Sequence, residues 1–189
     1  MLNKNEEKIN NVDYVNNKVD KIMNLLTSYN SYKFGGNVTD GNISVTATEA
    51  PITLKNNMSY FGNTDFFKIN DDNIEVQLPI VANDLGVAQI DFYTNFRSTS
   101  FTAGETIWGR ITVAKADGTT RKQAFQSVTV IGTSSRNEMG VHLTTTLEKG
   151  DKIYFEIAID NAKTINVSKT NFFINYQQQL PTEFYDFLY

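Results

Sequence analysis

Residues 1–33 carry apolar side chains at Ile9, Val12, Val15, Val19, Ile22, Met23, Leu26 and Tyr29 on an otherwise polar background. Val12, Val19 and Leu26 recur every seven residues, and so do Val15, Ile22 and Tyr29, the two sets interleaving in steps of three and four. This period gathers both sets on one side of an α-helix and predicts a helix over 1–33. A second register joins Ile9, Asn16 and Met23 to the same Val12, Val19 and Leu26. It widens the stripe beyond what a two-stranded seam uses and places Asn16 where a polar residue fixes alignment. A helix of this length with several valines is marginal in water, so the stripe needs a cover. Two covers stand open: the chain's own domain, or identical chains in a parallel coiled coil. The breadth of the stripe favours the coil, with three strands rather than two. Its oligomerisation residues are then Ile9, Val12, Val15, Val19, Ile22, Leu26 and Tyr29.

The pattern changes after residue 33. Phe34-Gly-Gly-Asn and Asp40-Gly-Asn break the helix, and Ile43-Ser-Val-Thr-Ala-Thr alternates like a strand, so 34–58 is read as a connector. From 59 to 189 the period is two. Ala88, Ile90, Phe92, Thr94 and Phe96 share one face of a strand, with Gln89, Asp91, Tyr93 and Asn95 opposite. Ile153, Phe155, Ile157 and Ile159 face inward on another, with Tyr154, Glu156 and Ala158 outward. Further strands are predicted at 73–81, 105–115, 121–131, 141–147, 163–168 and 170–178, with Pro79 confining the first of these to an edge or bulge. Asp117-Gly118 marks a hairpin and Lys149-Gly150-Asp151 a tight turn. About eight strands at this spacing make a β-sandwich of jelly-roll type. The predicted whole is mainly β: an N-terminal coiled-coil helix followed by a jelly roll, trimeric.

Composition narrows the function. The chain of 189 residues is 40% hydrophobic, enough for one real core, and its net charge of -4 leaves no excess of cations for a nucleic-acid partner. There is no cysteine, which excludes disulfides and thiolate metal sites. The opening Met1-Leu-Asn-Lys-Asn-Glu-Glu-Lys is polar where a signal peptide is apolar, and no run reaches the length of a membrane span. The expectation is synthesis in a cytosol, no membrane insertion, and release by lysis or within a particle.

Little in the chain points to catalysis. The one histidine, His142, lies in a strand, and no Gly-x-Ser-x-Gly elbow accompanies it. Asp71, Asp72, Asp84, Asp91, Glu105 and Glu156 supply carboxylates for glycoside hydrolysis, but any β-protein has such residues. Asp71-Asp72-Asn73 is an oxygen-rich loop, read as a turn because it lacks the spacing of a calcium loop. No enzyme activity, cofactor or metal is expected.

Trp108, Arg110 and Thr112 share the polar face of their strand. Trp108 and Arg110, together with Tyr93 and Tyr154, form either a saccharide platform or a subunit interface. The interface reading is preferred, because aromatics and Arg anchor interfaces and a trimer of jelly rolls buries one outer sheet face. The end of the sequence, Leu180-Pro-Thr-Glu-Phe-Tyr-Asp-Phe-Leu-Tyr189, is apolar, and Phe184, Phe187 and Leu188 fall on one side of a short helix. That tail packs on its own domain or docks on a neighbour.

The stretch Thr146-Leu-Glu-Lys-Gly-Asp-Lys-Ile-Tyr-Phe-Glu-Ile, with Thr170-Asn-Phe-Phe-Ile-Asn-Tyr after it, resembles the closing strands of the trimeric jelly rolls of the complement and tumour-necrosis-factor type. Asn73-Ile-Glu-Val-Gln-Leu and Ile90-Asp-Phe-Tyr-Thr resemble their opening hairpin, although Gly86-Val-Ala-Gln stands where a Gly-x-Tyr pair is usual. Bacteriophage fibres carry such heads on short coiled coils. The resemblance therefore implies a homotrimeric virion fibre or spike, on the head or the tail baseplate. Its partners would be itself, capsid, collar or baseplate proteins, and a host cell-wall glycan. A non-virion, lectin-like carbohydrate-binding module is the alternative reading, and a small glycoside hydrolase a third.

Overall fold

The computed structural model describes residues 12–20, 31–38, 41–45, 50–52, 58–77, 86–97, 101–118, 121–130 and 137–178. In chain order its strands are β1 (Ser31–Val38), β2 (Gly41–Val45), β3 (Ala50–Pro51), β4 (Met58–Gly62), β5 (Phe67–Ile69), β6 (Ile74–Val76), β7 (Gly86–Arg97), β8 (Thr106–Ala114), β9 (Arg121–Thr129), β10 (Asn137–Leu147), β11 (Lys152–Ile159) and β12 (Lys163–Gln178). They form two antiparallel sheets. The first runs β10-β7-β12-β1-β4, with β2 on the early part of β12; the second runs β5-β6-β11-β8-β9, with β3 against β11.

Alternation drives the sandwich. Phe34, Ala88, Ile90, Phe92, Phe172 and Ile174 from the first sheet meet Phe67, Ile107, Ile111, Val113, Ile153 and Phe155 from the second, all buried. A run of rings zips the layers together. Phe67 stacks on Phe34 at 5.1 Å, Phe34 meets Phe172 at 5.7 Å, Phe172 stacks on Phe155 at 4.9 Å, and Phe155 meets Phe92 at 5.2 Å. Each fully buried ring contributes about 2–3 kcal/mol of apolar transfer. Among the buried polar residues Thr94 and Thr170 satisfy each other, their hydroxyls pairing at 2.7 Å.

The Gly150-Asp151 turn joins β10 to β11. Gly150 has φ +86°, a conformation open to glycine. Asp151 is fully buried and tied down on both oxygens, accepting from the Ala116 N–H at 3.0 Å, the Glu148 N–H at 2.9 Å and Lys115 Nζ at 2.7 Å. One carboxylate thus pins its own turn to the end of β8.

Three expectations need correction. Residues 31–33, assigned above to helix, and 34–38, assigned to the connector, form β1, which pairs with β12 along its length and with β4. The double glycine there breaks no strand; it makes room. A Cβ on Gly35 would lie 2.4 Å from Phe61 Cζ, and one on Gly36 2.7 Å from Phe172 Cε1. The strands at 163–168 and 170–178 are one, β12, with a register irregularity between Ser168 and Asn171. The supposed opening hairpin is not a hairpin: β6 pairs with β5 and β11, while β7 pairs with β10 and β12 in the other sheet. Pro79 lies outside the described residues. Asp117-Gly118 does turn β8 into β9, with Gly118 at φ +73°.

Within the first 30 residues the described part is a helix over 12–20. Val12, Val15 and Val19 are 58%, 54% and 49% exposed, so no described residue of the chain covers this portion of the stripe. Ile9, Ile22, Leu26 and Tyr29 lie outside the described residues, as do Phe184, Phe187 and Leu188.

Candidate functional site: two outer sheet faces

The sandwich leaves two broad faces outside its core. On the first sheet, pairing aligns His142, Asp91, Phe173, Gly35 and Phe61 in one row across five strands. The next row holds Gly140, Tyr93, Asn171, Asn37 and Ser59. Phe61 and Phe173 stack at 6.4 Å, Phe61 lying over the bare backbone of Gly35. Phe61 and Tyr93 are both well exposed. The remaining neighbours are the amides and hydroxyl of Gln89, Asn175, Asn171 and Ser59 and the exposed cation Lys33. At one edge His142 Nδ1 meets Asp91 Oδ1 at 2.7 Å and its Nε2 meets Thr144 Oγ1 at 3.0 Å.

The second face has different chemistry. Three rows cross β9, β8 and β11: Ser127-Trp108-Ala158, Phe125-Arg110-Glu156 and Gln123-Thr112-Tyr154. Arg110 Nε donates to Glu156 Oε2 at 2.8 Å, and Thr112 Oγ1 donates to the same oxygen at 2.6 Å. Gln123 Nε2 donates to Thr112 Oγ1 at 3.3 Å. The pair is partly covered, its side chains 20% and 12% exposed. Phe125, in contrast, stands 74% exposed beside it.

The structure therefore brings Trp108, Arg110 and Tyr154 together and separates Tyr93 from them. Tyr93 is on β7 in the first sheet; the other three are on β8 and β11 in the second. Alternation marks all four as outward-facing but cannot say which of two sheets a strand joins. Phe61, Phe173 and Phe125 belong to these faces and were missed. The signal for Phe125 is legible afterwards: it is a lone ring in the register of Arg121, Gln123 and Ser127.

Thr144, His142 and Asp91 make a hydroxyl–imidazole–carboxylate line of the kind nucleophilic catalysis uses. The His142 and Asp91 side chains are 55% and 57% exposed on a flat strand face, however, whereas such chemistry works in a water-excluded cleft with preorganised donors. Asp71-Asp72-Asn73 closes the turn between β5 and β6: Asn73 Nδ2 donates to Asp72 Oδ1 at 2.6 Å, and Asn70 Nδ2 to Asn73 Oδ1 at 2.8 Å. Among the described residues no group of three or more acidic or histidine side chains is placed to hold a metal ion, and no helix is long and apolar enough to cross a membrane.

Two electrostatic features lie off both faces. Glu105, nearly buried, takes Lys163 Nζ on both oxygens at 2.5 and 2.6 Å, the Thr102 N–H at 2.7 Å and Asn161 Nδ2 at 3.1 Å. The Lys163 hydrogen bonds, and next the Thr102 amide, hold its carboxyl down at about 2. Burial pushes the Tyr60 phenol up to about 12.

Among solved structures the chain is similar to murine APRIL at pH 5.0, with a TM-score of 0.52 and 13% identity over 76% of this chain and 98% of that one. The likeness is one of fold. The two antiparallel sheets form a jelly-roll sandwich resembling the fold of that protein. Murine APRIL at pH 8.5 (TM-score 0.49, 14% identity, 79% of this chain and 100% of that one) and Eiger TNF from S. frugiperda (0.46, 14%, 80% and 92%) also match. No protein-family profile matches the chain, and no curated protein does.

Proposed function

We propose that the chain is a non-enzymatic, homotrimeric fibre or spike protein of a bacteriophage virion, on the head or the tail baseplate, whose jelly roll contacts the host surface. The observation that carries this reading is the helix over 12–20, whose Val12, Val15 and Val19 are about half exposed in the single chain. Such a stripe needs sister helices. The outer face of the first sheet supplies a second contact of the same kind: Phe61, Phe173 and Tyr93 amid amides, hydroxyls and Gly35. Exposed aromatic rings are enriched at interface centres, and Asp91, His142 and Lys33 stand beside them as a polar border. The second face, with its ion pair, suits solvent or a polar ligand instead.

Virion placement is inferred from the combination of a short helical stalk with a jelly-roll head. Partners within the particle would be capsid, collar or baseplate proteins. Three heads on one stalk would gain avidity, so weak binding of a wall glycan at each suffices. Light scattering on the purified chain at micromolar concentration tests the assembly: a species of roughly 64 kDa, three times the 21.3 kDa chain, is expected. A 21.3 kDa species would defeat it. Immunogold labelling of particles from a lysate tests the virion placement, which bare particles would rule out.

A further inference from the structure

We infer that the outer face of the second sheet is a glycan-binding platform for a neutral hexopyranoside, centred on Arg110 and Glu156 and walled by Phe125, Trp108 and Tyr154. The inference rests on the proposed reading in one respect only, that the first sheet's face is the one turned toward sister chains.

The geometry argues for this occupant. With strands about 4.8 Å apart and alternate residues about 7 Å apart, three strands and three rows give a patch roughly 10 Å by 14 Å. That is the footprint of a disaccharide rather than of a protein domain. Rings and hydrogen-bonding groups alternate across it. A pyranose presents the same alternation, with C–H faces that pack on aromatic planes and hydroxyls at the ring edge that pair with carboxylates, guanidinium and amides. Among the described residues Phe125 is the most exposed ring. It stands 74% exposed on a strand whose same-face neighbours are Gln123 and Ser127, and it supports no part of the described core.

Charge selects the class. Within the three rows Arg110 and Glu156 neutralise one another at 2.8 Å, so the patch itself carries no net charge, and the cations of this face, Arg121 and Lys152, stand one row beyond it. Their geometry is nonetheless fixed: Thr112 Oγ1 holds Glu156 Oε2 from the other side and Gln123 braces Thr112. Among the described residues both donated bonds fall on Oε2, and Glu156 Oε1 is the acceptor assigned to a ligand hydroxyl. A preorganised acceptor loses little entropy on binding, which suits a weak single-site contact multiplied by valency.

The test uses the full-length protein on an array of immobilised tetrasaccharides of glucose, galactose and N-acetylglucosamine, with a sialylated tetrasaccharide as the anionic arm, and light scattering in parallel. Binding to at least one neutral tetrasaccharide is expected, with the sialylated one no better. Phe125→Ala should weaken it about tenfold or more, and Phe125→Tyr should retain it. Glu156→Gln should also weaken it, by removing the charge that aligns Arg110. Because Phe125 is exposed, its substitution leaves fold and assembly intact, so a loss of binding is not a loss of structure. Full binding by Phe125→Ala, or no neutral glycan bound by a properly folded trimer, overturns the platform and leaves the trimer standing. Phe125-dependent binding by a monomer overturns the trimer and leaves the platform standing.

Discussion

Phe61 and Phe173 stack at 6.4 Å on the outside of the first sheet, one strand apart, with Gly35 on the strand between them. A side chain at 35 would occupy the space of the Phe61 ring. Phe61, laid over that bare backbone and stacked on Phe173, gives an apolar surface that costs solvation free energy while exposed. Contact with sister chains removes that cost. Phe173→Glu should therefore raise the trimer dissociation constant about a hundredfold, by placing a charge at the interface centre. Circular dichroism should still show β structure, since Phe173 points away from the core. Sedimentation equilibrium reads the outcome, and an undiminished trimer would assign the face another purpose.

Asp151 and Lys115 give a prediction about stability. The carboxylate has no exposure and the ammonium little, and their 2.7 Å bond ties the β10–β11 turn to the end of β8. Lys115→Met leaves a buried carboxylate without its counter-charge and should cost about 3–5 kcal/mol. Asp151→Asn should cost a similar amount by disturbing the Ala116 and Glu148 bonds as well. The double variant should lose clearly less than the sum, because the second change removes a charge the first had stranded. Urea unfolding of the four proteins measures this coupling, and strict additivity would contradict it.

The Gly-Asp pair also shows what could be read in advance. Alternation, the two turns and the closing motif around Gly150-Asp151 were enough to reach a jelly roll, since each is local chemistry along one strand or one turn. Errors arose where a local signal was answered by a distant residue. Gly35-Gly36 reads as a helix breaker; only the Phe61 and Phe172 rings, far along the chain, reveal it as a strand interior kept clear. Tyr93 and Trp108 both read as outward-facing. Which outside each occupies depends on strand order, and strand order is set by the packing of the whole core. Phe125 went unremarked because an isolated ring among polar residues acquires meaning only beside Arg110, its partner across the β8–β9 hairpin, and Glu156, which the distant strand β11 brings to the same row.

Glu105 and Lys163 predict a response to acid. The folded carboxyl titrates at about 2 against an ordinary 4.5, so ionisation favours the folded state. The stabilisation is complete above about 4.5, fades as pH falls through the window below it, and is gone once pH passes about 2. Glu105→Gln should lower stability at pH 7 by about 2 kcal/mol and flatten the dependence between those limits. Thermal melts from pH 2 to pH 7 compare the two proteins. Parallel curves would mean that other carboxylates, among them Glu75, whose pKa is lowered chiefly by its hydrogen bond from Asn70, dominate the acid response.

The helix over 12–20 offers the most direct challenge to the assembly. Val12, Val15 and Val19 lie on neighbouring turns of one side and are each about half exposed in the single chain. Covering a valine contributes about 1.5 kcal/mol, so two of them account for roughly a hundredfold in association per chain. Val15→Asn with Val19→Asn should accordingly shift the trimer toward monomers by about that factor, with the helical signal at 222 nm falling as the stalk separates. Heat should melt the stalk at a temperature that rises with protein concentration in the parent and far less in the variant, since only an associating helix draws stability from mass action. If both proteins melt alike at every concentration, the valine stripe is covered within its own chain, and the jelly rolls would have to assemble through the Phe61–Phe173 face alone.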